Sequence, residues 1–286
     1  MDAPPGQEDC KPFVRVAGYL ETMQLNAPRV LEANLDDGFL LLTDLGTDQY
    51  LDALVNDTSL AGPLYNDALF ALQSMQKQGA AFQSLLPQYD ADLLSFELSL
   101  FHDWLCEKHI GIEFAAADQS CWHSLCELLV NSALDQPQVF VHRDYHSRNL
   151  MVTEQNNPGV LDFQDAVEGP LTYDLVSLLK DCYVQWPQQQ IAEWARSFYK
   201  GLDAPVQQLV DENQFMRYFD LMGVQRHLKA AGIFARLNHR DGKPGYMADV
   251  PRTLSYIAEL GTRYGELGFL VSLINERCLP ALQESS

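Results

Sequence analysis

Three oxygen-bearing side chains lie near one another in the middle of the sequence, beside short apolar runs. Residues 139–152 read V-F-V-H-R-D-Y-H-S-R-N-L-M-V, and G-V-L-D-F follows at 159–163. Asp144 and Asn149 belong to the first stretch, and Asp162 belongs to the second. A carboxylate can accept a proton, and hard oxygen ligands suit Mg²⁺ bound together with substrate phosphates. The pattern therefore predicts a phosphoryl-transfer site, where catalysis depends on positioning and charge neutralisation.

The three residues have different predicted roles. Asp144, in the loop after the first strand, is expected to orient or deprotonate the attacking hydroxyl. Asn149 and Asp162 are expected to hold Mg²⁺. The alternative is a network of turns and helix caps, since Asp and Asn favour loops in any case. The agreement of spacing with strand context favours the catalytic interpretation.

Other polar residues of this region are open to two interpretations. His142 is predicted to be structural, packed or hydrogen-bonded inside the loop, rather than a base. His146 and Arg148 are equally compatible with contact to substrate or phosphate and with a surface or supporting position. The segment Q-R-H-L-K at 225–229 is equally compatible with a substrate cleft and with a solvated helix face.

The charge balance of the chain limits its partners. The 286 residues include 39 acidic and 19 basic side chains, for a net charge of −20. So negative a surface repels phosphate backbones and anionic lipid, so we expect neither nucleic acid nor a membrane surface as a partner. Solvation alone is the common reason for an acidic surface, although a cationic partner would also be favoured.

The six cysteines indicate a reducing compartment. None forms a C-x-x-C pair, and several lie in apolar helical patterns. They are predicted to be small buried thiols rather than disulfides or a zinc site. No transmembrane run and no basic and apolar signal segment is found in the sequence. We therefore expect a cytoplasmic protein, whose oligomeric state these features leave open.

Apolar periodicity places the polar loop in a mostly helical framework. The stretch up to about Lys11 is predicted to be a loop, and the next ~35 residues a helix and a small hairpin with a turn at Asp37-Gly38. Residues 39–43 are predicted to be a buried strand. Further helices are predicted at 50–55, 63–78, 92–109 and 121–134 and from about 172, 188, 212 and 251, with strands at 139–142, 150–153 and 159–163.

The loop around Asp144 resembles the catalytic loop of protein kinases. H-R-D-x-x-x-x-N matches residues 142–149, and D-F-Q at 162–164 stands where D-F-G occurs. V-L-D-F-Q-D-A-V-E-G-P-L-T-Y-D-L at 160–175 is closer to the aminoglycoside-phosphotransferase-like kinases. With M-D-A-P-P, L-L-T-D-L-G and G-V-Q-R-H-L-K-A-A-G-I-F-A-R-L, most of the chain resembles the bacterial N-acetylmuramate/N-acetylglucosamine anomeric kinases.

The resemblance implies an α+β, protein-kinase-like fold of the aminoglycoside phosphotransferase type. Residues 1–45 would form a partial N-lobe that ends at the hinge, and residues 46–286 a mainly helical C-lobe. Asp174 would be the aspartate at a helix start that anchors the catalytic loop, supported there by His142 and Arg143. Backbone groups at the hinge would meet the adenine of ATP, at Thr43, Asp44, Leu45 and Gly46.

The implied reaction is ATP- and Mg²⁺-dependent phosphorylation of an amino sugar hydroxyl. The acceptor would be the anomeric hydroxyl of N-acetylmuramate or N-acetylglucosamine, in cell-wall recycling. An aminoglycoside or other small-alcohol kinase is the alternative among enzymes, because an acidic surface would suit a cationic antibiotic.

A non-catalytic protein that binds nucleotide or sugar is the alternative outside enzymes. Met1 falls where the third N-lobe strand of such kinases would end, and their glycine-rich hairpin and strand lysine have no counterpart in this sequence. Either the start belongs inside a longer kinase or the chain is naturally shortened. The intact catalytic trio favours the longer kinase.

Overall fold

The computed structural model of this chain describes residues 1–3, 9–261 and 263–284. The loop predicted up to Lys11 falls partly on residues 4–8, which lie outside the described residues. Within the described ranges, no helix has both the length and the apolar character needed to cross a membrane.

Twelve α-helices and six short strands occur in the described part of the chain, which is mostly helical, as periodicity predicts. The helices are α1 (Lys11–Thr22), α2 (Tyr50–Asn56), α3 (Ala61–Gly79), α4 (Ala91–Leu100), α5 (Ala116–Leu134), α6 (Tyr173–Leu179), α7 (Gln188–Gly201), α8 (Ala204–Leu209), α9 (Glu212–Asp241), α10 (Val250–Ala258), α11 (Gly268–Ser272) and α12 (Leu279–Glu284). The strands are β1 (Val30–Asn34), β2 (Phe39–Leu42), β3 (Gln138–Val141), β4 (Leu150–Met151), β5 (Gly159–Val160) and β6 (Val167–Pro170). Two π-helical segments, Phe101–Ile110 and Leu273–Cys278, continue α4 and α11.

The contacts divide the chain into two compact units. The first unit consists of Met1–Gln88 and Pro137–Asp211, and the second of Tyr89–Gln136 and Glu212–Ser286. All six strands and the loop around Asp144 belong to the first unit. The lobe boundary expected at residue 45 stays a prediction.

The strands form three separate antiparallel pairs, β1 with β2, β3 with β6, and β4 with β5. Sequence does not predict β6, because Gly169 and Pro170 favour turns. Its ladder with β3 runs from Gln138 opposite Pro170 to Val141 opposite Val167. This pairing fixes where the chain leaves β3 and enters the loop that carries Asp144.

The predicted burial of the strand at residues 39–43 is wrong. Leu40 is 3% exposed, but Phe39 and Leu41 are 53% and 59% exposed. Successive side chains of a strand point to opposite faces, and only the face of β2 that carries Leu40 packs into the unit, whereas the face with Phe39 and Leu41 is open. An apolar run alone therefore does not distinguish a buried strand from a half-covered one.

The core of the first unit packs helices around β3 and the segment after β5. Tyr65 of α3 stacks on Trp194 of α7 at 4.5 Å between ring centres, and its hydroxyl accepts a hydrogen bond from Trp186 at 2.7 Å. Phe13 of α1 lies 4.7 Å from Phe163, the residue after Asp162. These aromatic contacts hold the elements on both sides of the polar loop.

The second unit is built around the long helix α9. Gly232 lies against the backbone of Leu100, where a methyl group would come within 2.3 Å of the Leu100 carbonyl carbon. Lys229 pairs with the buried carboxylate of Glu97 at 2.9 Å. His227 lies neither in a substrate cleft nor on a solvated helix face. It is 2% exposed and stacks on Tyr256 with 4.7 Å between ring centres.

The six cysteines all lie within the described residues, and all are free, as predicted. Cys10, Cys106 and Cys278 are buried, which fits small apolar side chains. The prediction of burial is wrong for Cys121, which is exposed because α5 turns other positions, such as Leu125, into the core.

Candidate active site

The loop between β3 and β4 is a tight turn closed by its own backbone. The carbonyl oxygen of Asp144 accepts hydrogen bonds from the backbone N–H of His146 and from the side-chain Nδ2 of Asn149, both at 3.0 Å. The Asn149 N–H donates to the His146 carbonyl at 2.9 Å. The side chain of Asn149 is therefore fixed relative to Asp144 by the fold of the loop itself.

Burial alternates along this turn. Tyr145 and Ser147 are each 1% exposed, whereas Asp144, His146 and Arg148 are half-buried. The Tyr145 hydroxyl donates to the carbonyl of Ala68 in α3 at 2.8 Å. The buried residues tie the loop to the unit, and the polar residues between them keep partial access to solvent.

The start of the loop is held by the buried carboxylate of Asp174, at the beginning of α6. Its two oxygens accept the backbone N–H groups of His142 at 2.6 Å and Arg143 at 2.9 Å. Arg143 has φ 78°, a left-handed conformation that is uncommon for a residue with a side chain and needs support from its surroundings. The structure thus brings together the three residues expected to support the catalytic loop.

His142 is fully buried, and its Nδ1 accepts the backbone N–H of Asp144 at 3.2 Å. Burial lowers the pKa of His142 from 6.5 to about 4, although the nearby carboxylates of Asp144 and Asp162 act in the opposite direction. The imidazole is therefore neutral near pH 7. A neutral ring keeps the lone pair with which Nδ1 accepts the hydrogen bond.

Acidification is expected to destabilise the protein through His142. The unfolded residue takes up a proton near pH 6.5 but the folded one only near pH 4, so stability is lost as the pH falls between these values. The loss approaches about 3 kcal/mol. Urea unfolding at several pH values measures it. In His142→Asn, which retains a hydrogen-bond acceptor, the free energy of unfolding should decrease less steeply as the pH falls. An unchanged pH dependence would contradict the assignment of this loss to His142.

Asn149 and Asp162 are brought together by the β4–β5 hairpin. The Leu161 N–H donates to the Asn149 carbonyl at 2.9 Å, and Asn149 Nδ2 lies 3.3 Å from Asp162 Oδ2. Asp162 itself has φ 62°, a conformation that Asp and Asn tolerate better than most residues. Its Oδ1 accepts a hydrogen bond from Gln164 Nε2 at 2.8 Å. One carboxylate and one amide oxygen at this point fit the ligand chemistry of Mg²⁺.

The residues expected at the hinge lie beside this hairpin. Thr43 exchanges two hydrogen bonds with the backbone of Arg29, at 2.9 and 3.0 Å. The Gly46 N–H donates to the side chain of Asp44 at 2.9 Å, and Gly46 has φ 86°. A methyl group on Gly159 would come within 3.0 Å of the side chain of Leu45, so this segment runs close to β5.

Two residues that hold the loop are not identified from sequence. Asp181, 2% exposed, accepts hydrogen bonds from Ser147, from the hydroxyl at 2.6 Å and the N–H at 3.0 Å. Tyr183, two residues further, packs against His146 and Arg148. The available signal is the charged pair Lys180–Asp181 directly after the apolar residues of α6, where solvent-exposed charges are not expected.

A family model and a named relative both match most of this chain. The family model described as "Phosphotransferase enzyme family" matches residues 1–212. A protein of Pseudomonas aeruginosa named N-acetylmuramate/N-acetylglucosamine kinase is 48% identical over 279 residues. The match spans 96% of this chain and 80% of that protein.

Solved structures show the fold. A choline kinase from Cryptosporidium parvum Iowa II matches with a TM-score of 0.60 at 14% identity, over 96% of this chain and 84% of its own. An ADP-bound aminoglycoside phosphotransferase matches with a TM-score of 0.53 at 16% identity, over 87% of this chain and 81% of its own. The expected fold of the aminoglycoside phosphotransferase type is thereby confirmed. The site around Asp144 lies within the matched residues, and this chain belongs to the phosphotransferase enzyme family.

Proposed function

We propose that this protein transfers the γ-phosphoryl group of ATP to the anomeric hydroxyl of N-acetylmuramate or N-acetylglucosamine. The observation that carries the proposal is the close arrangement of Asp144, Asn149 and Asp162 on a single turn and hairpin. The name of the Pseudomonas aeruginosa relative, at 48% identity, supports the choice of sugar.

Asp144 orients the attacking hydroxyl and receives its proton. Its N–H and carbonyl are both engaged in the loop, with His142 Nδ1 and with Asn149 Nδ2, so the carboxylate is presented from a fixed backbone. A rigid acceptor brings the hydroxyl to the phosphorus at little entropic cost during the reaction. Proton acceptance by a positioned side chain contributes typically 10²–10⁴-fold to the rate.

Asn149 and Asp162 are the residues that would hold Mg²⁺. When bound with the nucleotide, the ion neutralises the charge of the phosphate oxygens. The protein's own part is to keep the two oxygen ligands together, through the turn at Asn149 and the left-handed backbone at Asp162.

The nucleotide lies along the hinge in this proposal, with backbone groups of residues 43–46 at the adenine. The aminoglycoside phosphotransferase among the structural neighbours is ADP-bound, which supports a nucleotide on this fold. Gly46 has a left-handed backbone and no side chain, so its surroundings leave room for an approaching ring. A cytoplasmic location, where ATP and reducing conditions occur together, agrees with six free thiols.

A substrate panel tests the proposal. Purified protein is incubated with Mg²⁺-ATP and, separately, with N-acetylmuramate, N-acetylglucosamine, an aminoglycoside and choline, and ADP release is followed. We expect turnover with the two amino sugars. Turnover with the aminoglycoside or choline alone would assign a different acceptor. Binding of sugar and nucleotide without turnover would identify a binding protein instead.

A further inference from the structure

One peptide group of the catalytic turn joins a buried carboxylate to a proposed ligand of Mg²⁺. The bond between His146 and Ser147 has a carbonyl oxygen on one side and an N–H on the other. The carbonyl accepts the N–H of Asn149 at 2.9 Å, and the N–H donates to Asp181 Oδ2 at 3.0 Å. All four residues belong to the first unit. Because a peptide group is planar, the direction of its N–H also sets the direction of its carbonyl.

Ser147 is fixed by every polar group that it has. Its hydroxyl donates to the same Oδ2 of Asp181 at 2.6 Å, and its carbonyl accepts the N–H of Leu51, in α2, at 3.0 Å. Ser147 is 1% exposed, so water does not compete with these hydrogen bonds. Hydrogen bonds in which the acceptor is charged are also stronger than neutral ones. The peptide plane before Ser147 is therefore held against rotation.

Asp181 is itself oriented by a contact outside the turn. Its Oδ1 accepts the N–H of Tyr183 at 3.0 Å, and the residue is 2% exposed. Asp181 follows α6, whose first turn carries Asp174, the residue that accepts the N–H groups of His142 and Arg143. This helix and the segment after it thus supply two buried carboxylates, one for the start of the catalytic turn and one for its second half.

The orientation of Asn149 decides which atom its amide offers to a cation. Its Nδ2 donates to the carbonyl of Asp144 at 3.0 Å, so Oδ1 is the atom that the amide presents as a ligand. Nδ2 also lies 3.3 Å from Oδ2 of Asp162, the other proposed ligand. Rotation of the Asn149 backbone would change the position of Oδ1 relative to Asp162. Mg²⁺ demands near-octahedral geometry at about 2.0–2.1 Å, so it tolerates such a displacement poorly.

We propose that Asp181 is a positioning residue for the metal ligand Asn149 and acts through Ser147 and the planar peptide group before it. This inference rests on the proposed function and extends its metal site to a residue that does not touch the ion. Groups that orient metal ligands in this way typically contribute about 10- to 100-fold to metal affinity or activity. Asp174 holds the residues before Asp144 and Asp181 those after it, so the two carboxylates have separate tasks.

Binding of Mn²⁺ together with ADP tests the inference without any transfer reaction. Mn²⁺ prefers the same oxygen ligands as Mg²⁺, and the free ion is measured by electron paramagnetic resonance. Ser147→Ala removes the hydroxyl donor to Asp181 but keeps the backbone N–H, and we expect the affinity for Mn²⁺ at saturating ADP to fall about 10-fold. Ser177→Ala is the matched control and should bind Mn²⁺ like the wild type. Ser177 is 0% exposed and lies in the same unit, and its hydroxyl has no hydrogen-bond partner among the described residues.

A double-mutant cycle with Asn149 separates positioning from general stability. In Asp181→Asn, an amide NH₂ faces a backbone N–H of Ser147 or of Tyr183, so one of these contacts is lost and the Mn²⁺ affinity should fall about 10- to 100-fold. In an Asn149→Ala background the same change should have little further effect, because the ligand that Asp181 positions is already absent. Urea unfolding shows which variants are folded. If Asp181→Asn does not fold, Ser147→Ala takes its place in the cycle.

Other outcomes separate the inference from the proposed function. If these variants bind Mn²⁺ like the wild type, or if Asp181→Asn lowers the affinity equally with and without the Asn149 side chain, Asp181 supports the fold but does not position the metal ligand, and the inference is wrong. A wild type that does not bind Mn²⁺ with ADP also contradicts it. If the wild type binds Mn²⁺ with ADP but phosphorylates neither sugar, the proposed function fails, and the cycle still decides the inference.

Discussion

Asp144→Asn is expected to lower kcat about 10³-fold or more while changing the KM for the sugar little. The substitution removes the proton acceptor but keeps the size of the side chain. It also keeps the backbone hydrogen bonds of Asp144 with His142 and Asn149, because neither uses the carboxylate. The loop should therefore fold as before, and the loss should fall on the chemical step.

The measurement is steady-state kinetics with N-acetylmuramate, together with a urea unfolding curve that shows an unchanged fold. Asp92→Asn is the matched control, because Asp92 is an exposed aspartate in the first turn of α4. It loses the same charge and should retain wild-type kcat. A variant Asp144→Asn that keeps more than about a tenth of the rate would exclude Asp144 as the proton acceptor.

Asp162→Asn is expected to have the second largest effect, a loss of about 100-fold or more in kcat/KM at fixed Mg²⁺. Asparagine tolerates the left-handed backbone at this position, and its amide oxygen can still accept from Gln164. The change thus removes the negative charge with little disturbance of the hairpin. Loss of a charged ligand weakens the hold on Mg²⁺.

A Mg²⁺ titration of the rate distinguishes this role from a structural one. The concentration that gives half-maximal activity should rise in Asp162→Asn and should not change in Asp92→Asn. If Asp162→Asn loses activity without any shift in its Mg²⁺ dependence, Asp162 supports the hairpin but does not hold the ion.

The catalytic turn can be predicted from the sequence because its pattern is local. Polar residues between two apolar runs are costly to bury, and Asp144 and Asn149 lie within one turn. Asp162 follows the next strand, so the hairpin returns it to Asn149. Helices could be predicted for a similar reason, since apolar residues repeat along each segment with its own period.

The residues that hold the turn cannot be predicted from the sequence, because their contacts join distant parts of the chain. Asp181 meets Ser147 across 34 residues, and nothing in the local pattern around Asp181 indicates that partner. The pairing of β3 with β6 is also non-local, and Gly169 and Pro170 resemble a turn until the partner strand is known. The exposure of Phe39 depends likewise on what packs against its face of β2, which the apolar run itself does not show.

The position of the phosphate on the product distinguishes transfer to the anomeric hydroxyl from transfer to any other hydroxyl of the sugar. N-acetylglucosamine is converted with Mg²⁺-ATP, and the product is examined by phosphorus–proton coupling in NMR and by a reducing-sugar assay. We expect phosphate on the anomeric oxygen, coupling to the C1 proton, and loss of the reducing end. A product that is phosphorylated at another hydroxyl and still reduces would contradict this expectation, as would the absence of any product.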